Sequence, residues 1–369
     1  MEKLRCANRC LGIEISGIRK LFEAAGPDSI NMGLGQPDFD TPEHVKEGAI
    51  RAIREGKTGY TSNMGIPELR EALVEKFSRE NSLAYSPDQI IVTAGASEAL
   101  HLIMHALVEP GDRVLLADPG FVSYGALAVL AGGVPEGVPL DSRLRIDVEA
   151  AKEKMDRARL FVLNSPGNPT GAVEPRESIR ALVEYGDDRG VTIVSDEVYE
   201  HFIYGPKHWS AARFGEDVIT VNAASKTYAM TGWRLGYLAG PKEYVEQCLK
   251  VHQYCQACAT SISQYAALTA YTGPQECVRV MRQEYLYRRD YLYRELTRMG
   301  FSFPEPEGAF YMFVPMKRSL IGKILERGVV IVPGEAFGCL APDYARMSYA
   351  TSRKNLETAV ERIQEALEA

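Results

Sequence analysis

Residues 191–199 read VTIVSDEVY, a run of β-branched and apolar residues that ends on a carboxylate and a tyrosine. Such a run is a short buried strand, and a polar group at its end is where function concentrates. The same pattern recurs in DRVLLADPG (112–120), ARLFVLNSPGNPTG (158–171) and DVITVNAASK (217–226). Helical patterns separate these runs. PEHVKEGAIRAIREG (42–56) is amphipathic and stops at Gly56, and IPELREALVEKFSREN (66–81) opens with Pro67 in its first turn. QIIVTAG (89–95) is a strand that passes directly into the helix ASEALHLIMHALVEPG (96–111). Short, continuously apolar strands alternating with helices predict an α/β fold whose mostly parallel sheet is buried on both faces. Ligands of such sheets sit beyond the carboxyl ends of the strands. After about residue 275 the texture changes to a long charged helix, short strands and a closing amphipathic helix. The expected organisation is an N-terminal segment (1–41) joining a small domain, a large domain (42–275) and a small α+β C-terminal domain (276–369).

Composition narrows the function. The 369 residues are 46% hydrophobic and 25% charged, as in a globular enzyme. A dispersed net charge of −7 gives no basic stripe for nucleic acid. No apolar run reaches the roughly 18 to 20 residues of a membrane span, and the opening MEKLRCANRCLGIEI mixes charges into any signal core, so a cytoplasmic protein is expected. The seven cysteines read as free thiols. Cys255 and Cys258 form a CxxC without a second pair at zinc-site spacing, and His101 with His105 read as helix histidines, so no metal is expected.

Four stretches carry chemistry. In TAGASEAL (93–100), Gly95, Ala96 and Ser97 stand where a strand turns into a helix, which suits either an anion at the helix start or a side-chain cap by Ser97 or Thr93. NSPGNPTG (164–171) is a turn stiffened by prolines at a strand end. Asp196 runs straight off a buried strand and calls for a cationic partner. In SKTYAMTGWRLGY (225–237), Lys226 and Arg234 have no acid nearby and are expected to face an anion that is not protein. A dinucleotide fingerprint is absent, since GLGQPD (33–38) runs into Pro37 instead of a helix.

In combination and order, AGASEA, NSPGNPTG, SDEVY, SKTYAMTGWR and ARMSYA resemble the class I/II aminotransferases, fold type I enzymes that use pyridoxal 5′-phosphate. The resemblance runs from LGQPDFDTP (34–42) to the last helix and implies a seven-stranded large-domain sheet. It implies that Lys226 holds the cofactor and shuttles the substrate's Cα proton, and that Asp196 pairs with the pyridinium nitrogen. Asn168 and Tyr199 would meet the cofactor's 3′-oxygen, Phe121 would stack on its ring, and Gly95, Ala96, Ser97 and Arg234 would hold its phosphate. Tyr60 would reach the phosphate of a neighbouring subunit, which implies a homodimer with shared sites. Arg346 would grip the substrate's α-carboxylate, with Asn168 and the backbone of Gly35 beside it. One departure is Ala223, where many members carry a phosphate-binding serine, with Ser225 standing next to the lysine instead. Some aspartate-specific relatives carry a lysine in place of Ser97. The implied reaction is transamination between an L-amino acid, aspartate first, and 2-oxoglutarate. Aromatic or broad specificity is the alternative, and a β-lyase on the same scaffold a more distant one.

Overall fold

The computed structural model describes residues 6–15, 26 and 28–369; of the N-terminal segment 1–41, residues 1–5, 16–25 and 27 lie outside it. Twelve strands occur among the described residues: β1 (Ile30–Asn31), β2 (Ile90–Thr93), β3 (Arg113–Asp118), β4 (Val134–Pro139), β5 (Leu160–Asn164), β6 (Thr192–Asp196), β7 (Val218–Ala223), β8 (Gly236–Ala239), β9 (Tyr311–Pro315), β10 (Val329–Val330), β11 (Val332–Pro333) and β12 (Tyr344–Ser348). Seven of them form one sheet in the order β2-β8-β7-β6-β5-β3-β4. All its pairings are parallel except those of β8, which runs antiparallel to both β2 and β7.

Continuously apolar strands are explained by burial on both faces. Leu160, Val162, Val194 and Val221 pack under the helices Ala96–Leu107 and Lys242–Cys255, whereas Phe161, Leu163, Ile193 and Val218 pack under Val148–Met155 and Arg176–Arg189. The register then aligns the polar strand ends. Asn164 pairs with Asp196, Asp196 with Val221, and Ala223 with Gly236.

A second core gathers Tyr285, Leu292 and Leu296 of the long helix Glu276–Arg298, Leu356 and Ile363 of the closing helix Arg353–Glu368, and Tyr311, Met312 and Met347. Its antiparallel sheet has the order β11-β12-β9, and β1 pairs in parallel with β10.

Helix boundaries follow the punctuation of the sequence with two differences. Helix Glu43–Arg54 stops before Gly56, whose φ of 70° suits a glycine, but the Pro67 helix continues past Lys76 as a π-helical turn, Phe77–Asn81. Neither Ser97 nor Thr93 caps helix Ala96–Leu107. Gly95 takes the cap position at φ 83°, and Thr93 Oγ1 instead donates to the Gly95 carbonyl at 2.9 Å. The seven cysteines are free thiols. No helix among the described residues is long and apolar enough to cross a membrane.

Candidate active site

A cavity of about 230 Å³ opens beyond the carboxyl ends of the parallel strands. It gathers Ala96, Ser97, Phe121, Asn168, Asp196, Tyr199, Ser225, Lys226, Arg234, Arg346 and Gly35, residues that are up to 311 positions apart in the chain (346 − 35). Gly95 lies against its wall. A Cβ at position 95 would stand 2.7 Å from Arg234 Nη2, so the glycine admits the guanidinium. Tyr60 is not among the lining residues, and its side chain is 91% exposed.

One end of the cavity suits an anion. The N–H groups of Ala96 and Ser97 occupy the first turn of a helix without a side-chain cap, where no intrahelical acceptor exists. Gly236 keeps this turn open, since a Cβ there would be 2.5 Å from the Ala96 nitrogen. Arg234, at φ 54°, donates to the Thr231 carbonyl at 2.8 Å and makes no ion pair among the described residues.

At the centre, Asp196 is buried and forms no ion pair among the described residues. Its Oδ2 accepts from the Tyr124 hydroxyl at 2.7 Å and its Oδ1 from the Val198 N–H at 3.3 Å. Burial pushes its pKa up to about 6, against the pull of these two donors. Lys226 is partly accessible from the cavity and donates to the Gly35 carbonyl at 2.7 Å. Burial, and then the charges of Arg346 and Arg234, push its pKa down to about 8, with Asp196 opposing. A lysine so placed has a usable neutral fraction near neutral pH. The Tyr199 hydroxyl lies 2.8 Å from that of Tyr311, and Asn164 Nδ2 donates to the Asp196 carbonyl at 3.0 Å.

The other end is built around Arg346 on β12, which is 2% exposed. Its Nη1 donates to Asn168 Oδ1 at 2.9 Å and its Nη2 to the Gly33 carbonyl, while Nε is buried with no acceptor. Tyr311 and Phe337 lie 4.5 Å and 4.8 Å from the guanidinium carbon. The guanidinium lines the cavity, and its planar set of donors suits a carboxylate.

This geometry agrees with the comparisons with known proteins. Residues 27–363 match the family described as "Aminotransferase class I and II". The chain belongs to the class I and II aminotransferases. It is 44% identical to the probable aspartate aminotransferase of Methanocaldococcus jannaschii, over 98% of this chain and 100% of that one. It is 40% identical to the aromatic-amino-acid aminotransferase 2 of Thermococcus litoralis, over 95% of each chain. The solved aspartate aminotransferase from Thermus thermophilus with maleate superposes with a TM-score of 0.94 at 39% identity, covering 98% of this chain and 100% of that one. The chain is thus an aminotransferase, in a family that depends on pyridoxal 5′-phosphate. Its residues fit that group: an N–H cradle with Arg234 for a phosphate, a buried carboxylate for a ring nitrogen and a recessed lysine between them.

Tyr124 and Thr231 also line the aminotransferase cavity and were not expected there. Tyr124 was findable in principle, because it lies three residues after Phe121 and a buried Asp needs a donor. Tyr311, whose aromatic stretch EGAFYMF suits either an apolar side-chain pocket or an edge strand, does both: it lines the cavity and lies on β9 at the edge of the small sheet.

Beneath Lys226 lies a second polar cluster. Glu200 accepts from Asn222 Nδ2 at 2.6 Å and Asn81 Nδ2 at 2.8 Å and is paired with Lys76. His208 lies 3.0 Å from Glu197, and His201 bridges Glu80 and Thr227 at 3.2 Å and 3.1 Å. Two acid and histidine triads here have metal-like spacing, but the Lys76 ammonium already occupies the carboxylate they share. Burial lowers the pKa of His208, yet Glu197 and Glu200 outweigh burial and the repulsion of Lys76, leaving it raised. Stability from His208 is therefore full below its unfolded pKa of about 6.5 and is lost as pH rises through the higher folded value. The melting temperature is expected to fall over that window in the wild type, and His208→Gln is expected to remove this component. Parallel profiles for the two proteins would contradict it.

Proposed function

We propose that this chain catalyses pyridoxal 5′-phosphate-dependent transamination between an L-amino acid, aspartate preferred, and 2-oxoglutarate. The observation that carries the reading is one cavity lined by Lys226, Asp196 and Arg346, the last held in place by Asn168 and the Gly33 carbonyl. When bound, the cofactor supplies an electron-withdrawing ring that acidifies the substrate's Cα–H. Lys226 Nζ takes that proton and returns it, which a pKa of about 8 permits near neutral pH. Asp196, steadied by Tyr124, holds its charge against the ring nitrogen. Ala96, Ser97, Ser225 and Arg234 hold the phosphate, Asn168 and Tyr199 meet the 3′-oxygen, and Phe121 covers the ring. Arg346 and Asn168 orient the substrate's carboxylate. Tyr60, exposed and away from its own cavity, supports a homodimer in which it serves the partner's site. The pairing of β1 with β10 supports the division into 1–41 with 276–369 and a large domain at 42–275. We assign the enzyme to the cytoplasm.

A second reading keeps the reaction and changes the donor. Apart from Lys226, Arg234 and Arg346, the cavity wall has no cation for a distal carboxylate among the described residues, and Leu100, Phe121, Tyr124 and Tyr311 present apolar surface. Aromatic or broad specificity then follows. Catalytic efficiencies for aspartate, glutamate, tyrosine, phenylalanine and alanine decide between them, and aspartate below tyrosine would reject the first. Pyruvate and ammonia released without amino transfer would point to a β-lyase.

Tyr124→Phe is expected to weaken cofactor retention about tenfold or more, because a charge-assisted hydrogen bond to Asp196 is lost. Loss of visible absorption during dialysis measures it, and wild-type retention would remove Tyr124 from this role.

A further inference from the structure

Away from the reacting groups, one buried carboxylate fastens the two halves of the cavity wall together. Asp118 ends β3, is 9% exposed and forms no ion pair among the described residues. Its charge is met by the N–H groups of Cys339 at 3.2 Å and Leu340 at 3.1 Å, and by the Cys339 thiol at 3.4 Å. A further bond runs from the Gly120 N–H to the Phe337 carbonyl at 2.8 Å. Gly338, at φ 147°, is required at the junction, because any Cβ would overlap Asp118 Oδ1.

What the clasp joins is informative. On one side Gly120 is followed by Phe121, which lines the cavity; on the other, Phe337 packs 4.8 Å from the Arg346 guanidinium. Residues 337–340 lead into β12, which carries Arg346. The spacing between the aromatic wall and the Arg346 guanidinium is therefore held by a carboxylate accepting from backbone amides across 221 positions of chain. Two backbone donors meeting the two oxygens of one carboxylate make a directional link. A surface ion pair would be weaker and screened by salt.

We propose that Asp118 is a positioning residue: by holding the Cys339 and Leu340 amides it sets Arg346 at the distance from Phe121 that the substrate's carboxylate requires. The proposal rests on the aminotransferase reading for its substrate. In the holoenzyme, Asp118→Asn keeps the shape but can offer only one acceptor atom. KM for aspartate and for glutamate is expected to rise about tenfold, with kcat changed less than about threefold, and Asp118→Ala to go further. Cys339→Ser, which keeps both amides, is expected to match the wild type.

Hydrogen exchange over residues 334–341 reads the clasp independently of turnover. Asp118→Asn is expected to speed exchange there about tenfold without spreading it to the seven-stranded sheet. An unchanged KM, or a loss confined to kcat, overturns the proposal. Should the variants fail to fold, the wild type still decides: slow exchange at Cys339 and Leu340 is expected, and solvent-like exchange at either overturns it. A wild type without transaminase turnover but with protected amides would sink the proposed reaction and leave the clasp standing.

Discussion

Lys226→Ala is expected to lower kcat for transamination by about a millionfold, the scale on which an enzyme loses a group that both binds covalently and moves the proton. No other side chain in the cavity can stand in. Lys226 is the one lysine in the wall among the described residues, and both arginines there stay protonated. The variant should fold well. A folded pKa of about 8, below the ordinary lysine value, means that the charged lysine costs the apoprotein stability below pH 8, and that this cost disappears as pH rises above the unfolded value. The apoprotein's melting temperature at pH 7 is thus expected to hold or rise while turnover vanishes. Small amines added to the solution should restore part of the proton transfer. Turnover within about a hundredfold of the wild type would sink the assignment of Lys226.

Arg346→Lys is expected to cut kcat/KM by about 100- to 1000-fold, mostly through KM, although the charge is retained. The loss comes from geometry. Arg346 reaches Asn168 with one nitrogen and the Gly33 carbonyl with another while lining the cavity, whereas an ammonium is a point donor that cannot reproduce this planar fork. Tyr311 and Phe337, whose ring centres lie 4.5 Å and 4.8 Å from the guanidinium carbon, would also lose their partner. Steady-state kinetics with aspartate reports the change, and a KM near the wild-type value would mean that the carboxylate binds elsewhere.

Lys226, Asp196 and Asn168, which line one cavity, were legible because each stands at or shortly past the end of a short apolar run, whereas Arg346, in the middle of β12, was reached through the family resemblance alone. The sheet was legible for the same reason: runs such as LFVLN and TIVSD are apolar throughout, which demands cover on both faces. The sequence reading failed where the partner lies far along the chain. Tyr124, 72 positions from Asp196, adds a hydroxyl donor to it that no local pattern announced. The hydroxyl of Tyr311 meets that of Tyr199 across 112 positions, and nothing in EGAFYMF announces it. The reversal of β8 was equally hidden, since GYLA is composed like its parallel neighbours. Of the two readings of TAGASEAL, the cap by Ser97 or Thr93 does not form, because Gly95 takes the cap position and lets Arg234 approach.

That reversal has a consequence for how the chain can vary. Because β8 turns back beside β7, with Ala223 opposite Gly236, one closed loop carries both Lys226 and Arg234 and has its two ends fixed to each other. The loop therefore works as a gauge, whose two marks are Lys226 and Arg234. A residue inserted between them would shift one mark against the other without disturbing the sheet, so stability would tolerate a length change that function would not.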